Sequence, residues 1–197
     1  MNKVNLLNRR SVTLRRAGAE SIREVVFGVE DGVVQNATLI AGMVGASLSA
    51  GIIVVAGVIN AAAGVLSMSI GTYLSSKAER DVRMRTIAEG DSLADPGAAS
   101  NGTSPVRAAT VMAAAYACGA VVPVLPFLTQ TLSTWTALLV AIVLTLLTLF
   151  ALGFGKAALS GQSRWRSGLE MLVLASVAGV LGYLIGVVGR AVFDVDL

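Results

Sequence analysis

Two adjacent carboxylates, Glu30 and Asp31, lie inside a stretch of residues 24–48 that is otherwise apolar enough to cross a bilayer. A charge at mid-membrane costs ~2.5–3.5 kcal/mol even on a lenient insertion scale, so acids kept there usually hold a cation or a proton. An acid near the interface could instead snorkel to water or pair with Arg23. That interpretation suits Glu24, at the edge of the segment, better than the deeper Asp31. We therefore interpret Asp31 as a candidate ion ligand.

Other polar side chains could complete such a site. Asp31 shares a helix face with Gln35, because residues four apart lie one turn apart. Glu30 points about 100° away on a helix, so it could join the site, face a water-filled vestibule or pair with a neighbouring helix. The next apolar segment carries its own stripe of small and polar residues, which comprises Asn60, Gly64, Ser67, Met68, Gly71, Thr72 and Ser75.

The candidate metal ligands are Asp31, Met68, Glu30, Asn60 and Gln35. A thioether beside carboxylate and amide oxygens favours Fe²⁺ or Mn²⁺ over Mg²⁺ or Ca²⁺, which prefer oxygen alone. A buried methionine in a membrane helix is more often simple packing. One chain offers few ligands for a six-coordinate ion, so we hypothesise a two-fold homodimer with the first segment at its axis.

Small residues spaced four apart are typical of close helix packing. Examples of such pairs in the apolar segments are Gly28/Gly32, Gly57/Ala61 and Gly182/Gly186. We interpret these glycines as packing residues rather than ligands.

Composition narrows the class of protein. Only 14% of the 197 residues are charged, against roughly 25% in soluble domains, which indicates a protein built for lipid. The chain has no histidine and one cysteine, Cys118, which removes the usual general base and any thiolate cluster within one chain. An enzyme is therefore not expected. The net charge of +3 is not gathered into a basic stripe, so nucleic-acid binding is not expected either.

Five apolar segments, each near the ~20 residues that span ~30 Å of hydrocarbon, predict an all-α integral membrane protein. They cover about residues 24–48, 52–75, 106–128, 132–153 and 168–188. We divide the chain into a basic cytoplasmic arm (1–22), two spans with the ion site (23–76), a charged cytoplasmic helix and Gly/Pro/Ser-rich linker (77–105), three further spans (106–190) and a tail (191–197). Pro123 and Pro126 should break the far end of the third segment.

The basic residues predict the orientation. They lie in or directly beside the arm, the loop after the second segment and the loop after the fourth, with Arg190 as the exception. The positive-inside rule then places the N-terminus in the cytoplasm and the C-terminus outside. No removable signal peptide is recognisable at the N-terminus.

Four motifs, in order, resemble the vacuolar iron transporter family and its nodulin-21-like branch. Residues 23–32 (REVVFGVEDG) resemble the opening of its first span, and residues 63–75 (AGVLSMSIGTYLS) a motif of its second span. Residues 122–127 (VPVLPF) and 166–171 (RSGLEM) are similar to motifs after the third span and before the fifth. The resemblance implies a five-span homodimer that moves Fe²⁺ or Mn²⁺ out of the cytosol against protons. By position, Asp31 and Met68 would be the family's metal-facing aspartate and methionine.

The chain departs from the family pattern in three places. Asn60 stands where iron-transporting members carry glutamate, and Thr72 where many nodulin-like members do. The segment of residues 77–105 is short, whereas the full-length transporters carry a Glu-rich cytoplasmic metal-binding domain at the corresponding place. We infer that Glu30, where the family usually has a neutral residue, replaces a lost carboxylate.

The function predicted from sequence is export of Fe²⁺ or Mn²⁺ from the cytosol, by proton antiport through a site at a dimer interface. The metal is cargo, and no resident cofactor is expected. The expected partners are a second copy, the ion, protons and the bilayer. The membrane would be the plasma membrane in a prokaryote and the vacuolar or another endomembrane in a eukaryote. The alternative is a transport-inactive scaffold or regulatory relative, which would gain nothing from a deep aspartate.

Overall fold

The computed structural model describes residues 3–89, 104–129, 131–161 and 163–193, and every regular element in these ranges is helical. The helices are α1 (Lys3–Gly45), α2 (Ala50–Ala88), α3 (Pro105–Val121), α4 (Leu125–Leu128), α5 (Thr134–Ser160) and α6 (Arg164–Phe193). The all-α prediction is thereby confirmed for these residues. Most of the predicted linker (91–103) and the end of the predicted tail (194–197) lie outside them.

The first two helices extend well beyond the predicted spans. α1 has 43 residues, a length of about 65 Å at 1.5 Å per residue. It continues without a break through the predicted arm, because no proline interrupts residues 3–45. α2 likewise joins the predicted second span and the charged helix into one helix of 39 residues. It ends at Ala88, as the sequence predicted from Gly90.

The third predicted segment is broken where its prolines lie. α3 ends at Val121, a turn over residues 122–124 contains the fully buried Pro123, and the four-residue helix α4 follows. Proline lacks the N–H that would continue the helix. The predicted break is confirmed, and α3 alone has only 17 residues.

Three of the described helices are long and apolar enough to cross a membrane by length and composition: α2, the Thr134–Ala158 part of α5, and α6. Their outward surfaces are apolar, with Ile59, Leu66, Leu147 and Ile185 each more than three-fifths exposed. Such a surface is typical of helices that face lipid rather than water. Five spans and the placement of the termini stay predictions.

α1 lies at the centre of the bundle and packs against α2, α3, α5 and α6. One core cluster joins the end of α1 to α2, α4 and α5, with Ile40, Ile53 and Phe127 at its centre. A second cluster joins the middle of α1 to α5 and α6 through Val33, Leu149 and Met171. The central helix of the bundle is therefore also the helix that carries Glu30 and Asp31.

Glycine permits the closest approaches between these helices. A Cβ on Gly32 would overlap the Tyr116 carbonyl of α3, and one on Gly28 would lie 2.8 Å from the Ala115 Cβ. On the other side of α1, a Cβ on Gly182 or Gly186 of α6 would overlap the Thr38 or Gly42 carbonyl. The packing interpretation of these two glycine pairs is confirmed.

Candidate functional site

The third helix, rather than direct contact between α1 and α2, organises the region around Asp31. The small-residue stripes predict a close approach of α1 to α2, but Gly28 and Gly32 both face α3. α3 also packs along α2, so that it lies against both helices. Any site between α1 and α2 therefore has a wall supplied by α3.

Tyr116 is the side chain with which α3 forms this wall. It is fully buried, and its hydroxyl donates a hydrogen bond to Oε1 of Gln35. The same hydroxyl and ring carbons occupy the space that a Cβ on Gly64 would need. Asp31 is near enough to interact electrostatically with Tyr116. One phenol group thus meets a candidate ligand on α1 and a small residue on α2.

This contact relates the faces of α1 and α2 that carry Asp31 and Met68. α1 and α2 run antiparallel from the turn at residues 46–49, and Gln35 and Gly64 both meet the Tyr116 hydroxyl. Asp31 precedes Gln35 by four residues, and Met68 follows Gly64 by four. Asp31 and Met68 therefore lie on the helix faces that carry Gln35 and Gly64, each one helical turn farther from residues 46–49. Tyr116 thus contacts a residue one turn from each of the two predicted ligands.

Asn60 belongs to a different contact. Its Nδ2 donates to Oδ1 of Asn36 at 3.1 Å. Nδ2 of Asn36 donates to the carbonyls of Ala120, at 2.7 Å, and Gly57, at 3.3 Å. Asn36 is fully buried and so joins α1 to α2 and α3 through side-chain hydrogen bonds. With its Nδ2 engaged there, Asn60 could offer an ion only its Oδ1.

The three carboxylates of this part of α1 differ in burial. Glu30 and Asp31 are partly buried, whereas Glu24 is only 3% exposed. The interpretation of Glu24 as an acid that snorkels to water at the interface is therefore wrong, whereas its pairing with Arg23 stays a prediction. The bundle covers the helix face that carries Glu24 more completely than the face that carries Asp31.

Sequence reasoning did not select Tyr116 or Asn36. Tyr116 lies on an apolar face with Ala108, Met112 and Ala120, and that pattern predicts burial without showing where the hydroxyl points. An interhelical contact of Asn36 could have been predicted, since an amide in the middle of a membrane segment usually forms a hydrogen bond to a neighbouring helix.

The described residues contain no group of three or more Asp, Glu, Cys or His side chains close enough to hold an ion. Asp31, Gln35 and Met68 supply one carboxylate, one amide and one thioether. A divalent transition metal usually takes four to six ligands. If these candidates bind an ion, the described part of one chain would fill only part of its coordination shell.

Comparison of the sequence with known proteins matches it to one family over most of its length. The VIT family model matches residues 22–95 and 83–187. The chain is 26% identical over 211 residues to vacuolar iron transporter 1 of Arabidopsis thaliana, which covers 83% of this chain and 84% of that protein. It is 33% identical over 171 residues to vacuolar iron transporter homolog 1 of Oryza sativa subsp. japonica. This match covers 85% of this chain and 73% of that protein.

A third relative, the vacuolar iron transporter of Centaurea cyanus, is 24% identical over 90% of this chain and 91% of its own length. The family model and these relatives extend over nearly all of the segments that carry the motifs and the apolar helices. The chain is a multi-pass integral membrane protein and belongs to the VIT family.

Proposed function

We propose that this protein exports Fe²⁺ or Mn²⁺ from the cytosol in exchange for protons, through a site between α1 and α2 that a second copy completes. The observation that carries the proposal is that the Tyr116 hydroxyl meets both Gln35 of α1 and Gly64 of α2, which lie one helical turn from Asp31 and Met68. The names of the relatives, vacuolar iron transporters, support a metal-ion cargo. In a eukaryotic cell the membrane would be vacuolar or another endomembrane.

The ligand chemistry supports a transition metal. Asp31 supplies charge, Met68 a soft thioether, and Gln35 and Asn60 neutral oxygens. Mg²⁺ and Ca²⁺ select oxygen ligands alone, whereas Fe²⁺ and Mn²⁺ accept mixed sets. Tyr116 acts as a positioning residue in this scheme, because its hydrogen bond fixes the carbonyl oxygen of the Gln35 side chain.

One stripe of α1 supports the participation of a second copy. Arg23, Phe27 and Gln35 are exposed and Asp31 is partly exposed, although the other faces of α1 pack against α2, α3, α5 and α6. These four residues recur every fourth position and so form one continuous face. A two-fold axis along this stripe would cover the exposed phenylalanine and would bring two copies of Asp31 toward each other.

Proton coupling follows from the chemistry of a carboxylate. Asp31, with Glu30 or with the same residue of a second copy, can hold either a metal ion or protons. Metal arrival would displace the proton, and proton arrival from the other side would displace the metal. Exchange at one site couples the two fluxes without a separate proton pathway.

Flux into proteoliposomes tests the proposal. Wild type, Asp31→Ala and the control Asp81→Ala would be compared for Fe²⁺, Mn²⁺ and Zn²⁺ uptake under an imposed proton gradient. Asp81 is an exposed acid on the charged end of α2, so its loss should leave flux unchanged. Asp31→Ala should lower gradient-dependent flux at least about tenfold, since even residues behind metal ligands cost that much.

Either of two results would count against the transporter. Absence of flux of every ion in well-folded wild type would favour the transport-inactive scaffold. Equal losses in Asp31→Ala and Asp81→Ala would show that the effect is one of net charge rather than of a site.

A further inference from the structure

A groove between α1 and α5 lies away from the proposed ion site. It has a volume of about 370 Å³, and its apolar walls include Ile22, Val25, Val26 and Leu152. It runs between two antiparallel helices, with Ser21 and Lys156 at one end and Val26 and Ala151 at the other. Five residues of helix rise give it a length of about 7 Å.

The groove is apolar along its length and cationic at one end. Among the residues that the structure describes, Lys156 is the single charged residue that lines it. Lys156 forms no ion pair and no hydrogen bond with any residue that the structure describes. Its partly buried side chain can lay its methylenes along the apolar wall and keep the ammonium at the mouth.

The groove is open beside Gly155, because this residue has no side chain. A Cβ built at this position meets no atom of the described residues within 4 Å, so the space beside it is open in that part of the chain. Gly32 and Gly186 permit close contacts between helices, whereas Gly155 leaves space in the wall of the groove. A larger side chain at this position would enter the groove without disturbing a neighbouring helix.

We infer that this groove binds one anionic phospholipid, with an acyl chain against the apolar walls and the phosphate on Lys156. The apolar slot matches a hydrocarbon chain, and the unpaired ammonium at its mouth matches an anionic headgroup. Basic pockets between membrane helices are known to select such headgroups. The predicted orientation places this end of α5 on the cytoplasmic side, where anionic lipids attract basic residues.

Native mass spectrometry of the full chain tests this inference, after equilibration with equal amounts of phosphatidylglycerol and phosphatidylcholine. Wild type should retain one phosphatidylglycerol in preference to phosphatidylcholine. Lys156→Gln should reduce that preference about fivefold, the effect of one basic residue near an anionic headgroup. Lys77→Gln, which removes an exposed lysine from α2, should leave the preference unchanged.

A second variant tests the groove itself. Gly155→Leu keeps Lys156 but fills the slot, and should abolish retention of both lipids at this site. A phosphatidylglycerol preference that survives Lys156→Gln would overturn the inference. Displacement of the lipid by soluble glycerol phosphate would also overturn it, because it would show that the site binds phosphate without binding an acyl chain. A change of oligomeric state on Gly155→Leu would identify a second copy of the chain as the occupant and would equally overturn it.

Discussion

Nδ2 of Asn60 lies 3.1 Å from Oδ1 of Asn36 and donates a hydrogen bond to it. Asn60 stands at the position where the resemblance places a glutamate in iron-transporting members of the family. In this chain the side chain at that position joins α2 to α1. Asn60 therefore stabilises the contact between two helices, in addition to its proposed role as an ion ligand.

Asn36→Ala should lower the free energy of unfolding by about 0.5–2 kcal/mol, the range of interhelical hydrogen bonds in membranes. The substitution removes the donor to Ala120 and Gly57 and the acceptor for Asn60. Reversible unfolding in mixed micelles measures the effect. Ser176→Ala is the control, because Ser176 bonds only to a carbonyl of its own helix. Equal stabilities for the two variants would show that the three-helix contact contributes nothing.

Gly64→Ala should destabilise the protein by about 1–3 kcal/mol, the usual cost of overpacking. The added methyl would overlap the Tyr116 hydroxyl and ring, and Tyr116 is fully enclosed. Gly71→Ala on the same helix is the matched control, since a Cβ there meets no atom within 4 Å. Thermal unfolding in detergent compares the two. A loss of stability in Gly71→Ala would indicate a neighbour outside the single chain, such as a second copy.

Tyr116→Phe should raise the KM for the transported metal about fivefold, the worth of one hydrogen bond, with little change in maximal rate or melting temperature. The substitution keeps the ring and frees only the Gln35 oxygen. Tyr183→Phe is the control, because Tyr183 packs against Trp135 and Gly45, away from Gln35.

A double-mutant cycle separates positioning from direct binding by Tyr116. If the hydroxyl acts through Gln35, Tyr116→Phe should add almost nothing to Gln35→Ala. Additive effects of the two substitutions on KM would contradict the positioning role.

Glu30→Gln should reduce metal flux without abolishing it, because Glu30 is proposed to supply a second carboxylate beside Asp31. The isosteric amide keeps the volume of the side chain and removes only its charge. Proteoliposome flux with Glu79→Gln as the control measures the effect, since Glu79 is exposed and pairs only with Arg83 one turn away. Unchanged flux in Glu30→Gln would remove Glu30 from the site.

The sequence by itself determined the helical membrane class and the family, and it selected Asp31 as a candidate ion ligand. Hydropathy and charge are local properties, so apolar segments and an acid inside one of them can be read directly from residues 24–48. The proline break after α3 was equally local, because Pro123 and Pro126 cannot continue a helix whatever surrounds them.

Only the tertiary structure decided which helices meet. The stripes on the first two segments predict contact between α1 and α2, but a stripe of small residues does not identify its partner. Gly32 proved to face Tyr116, which lies 84 positions later in the chain. The Tyr116–Gln35 bond, the Asn36 junction and the burial of Glu24 all depend on where α3 and its neighbours pack around α1, and no local pattern encodes that position.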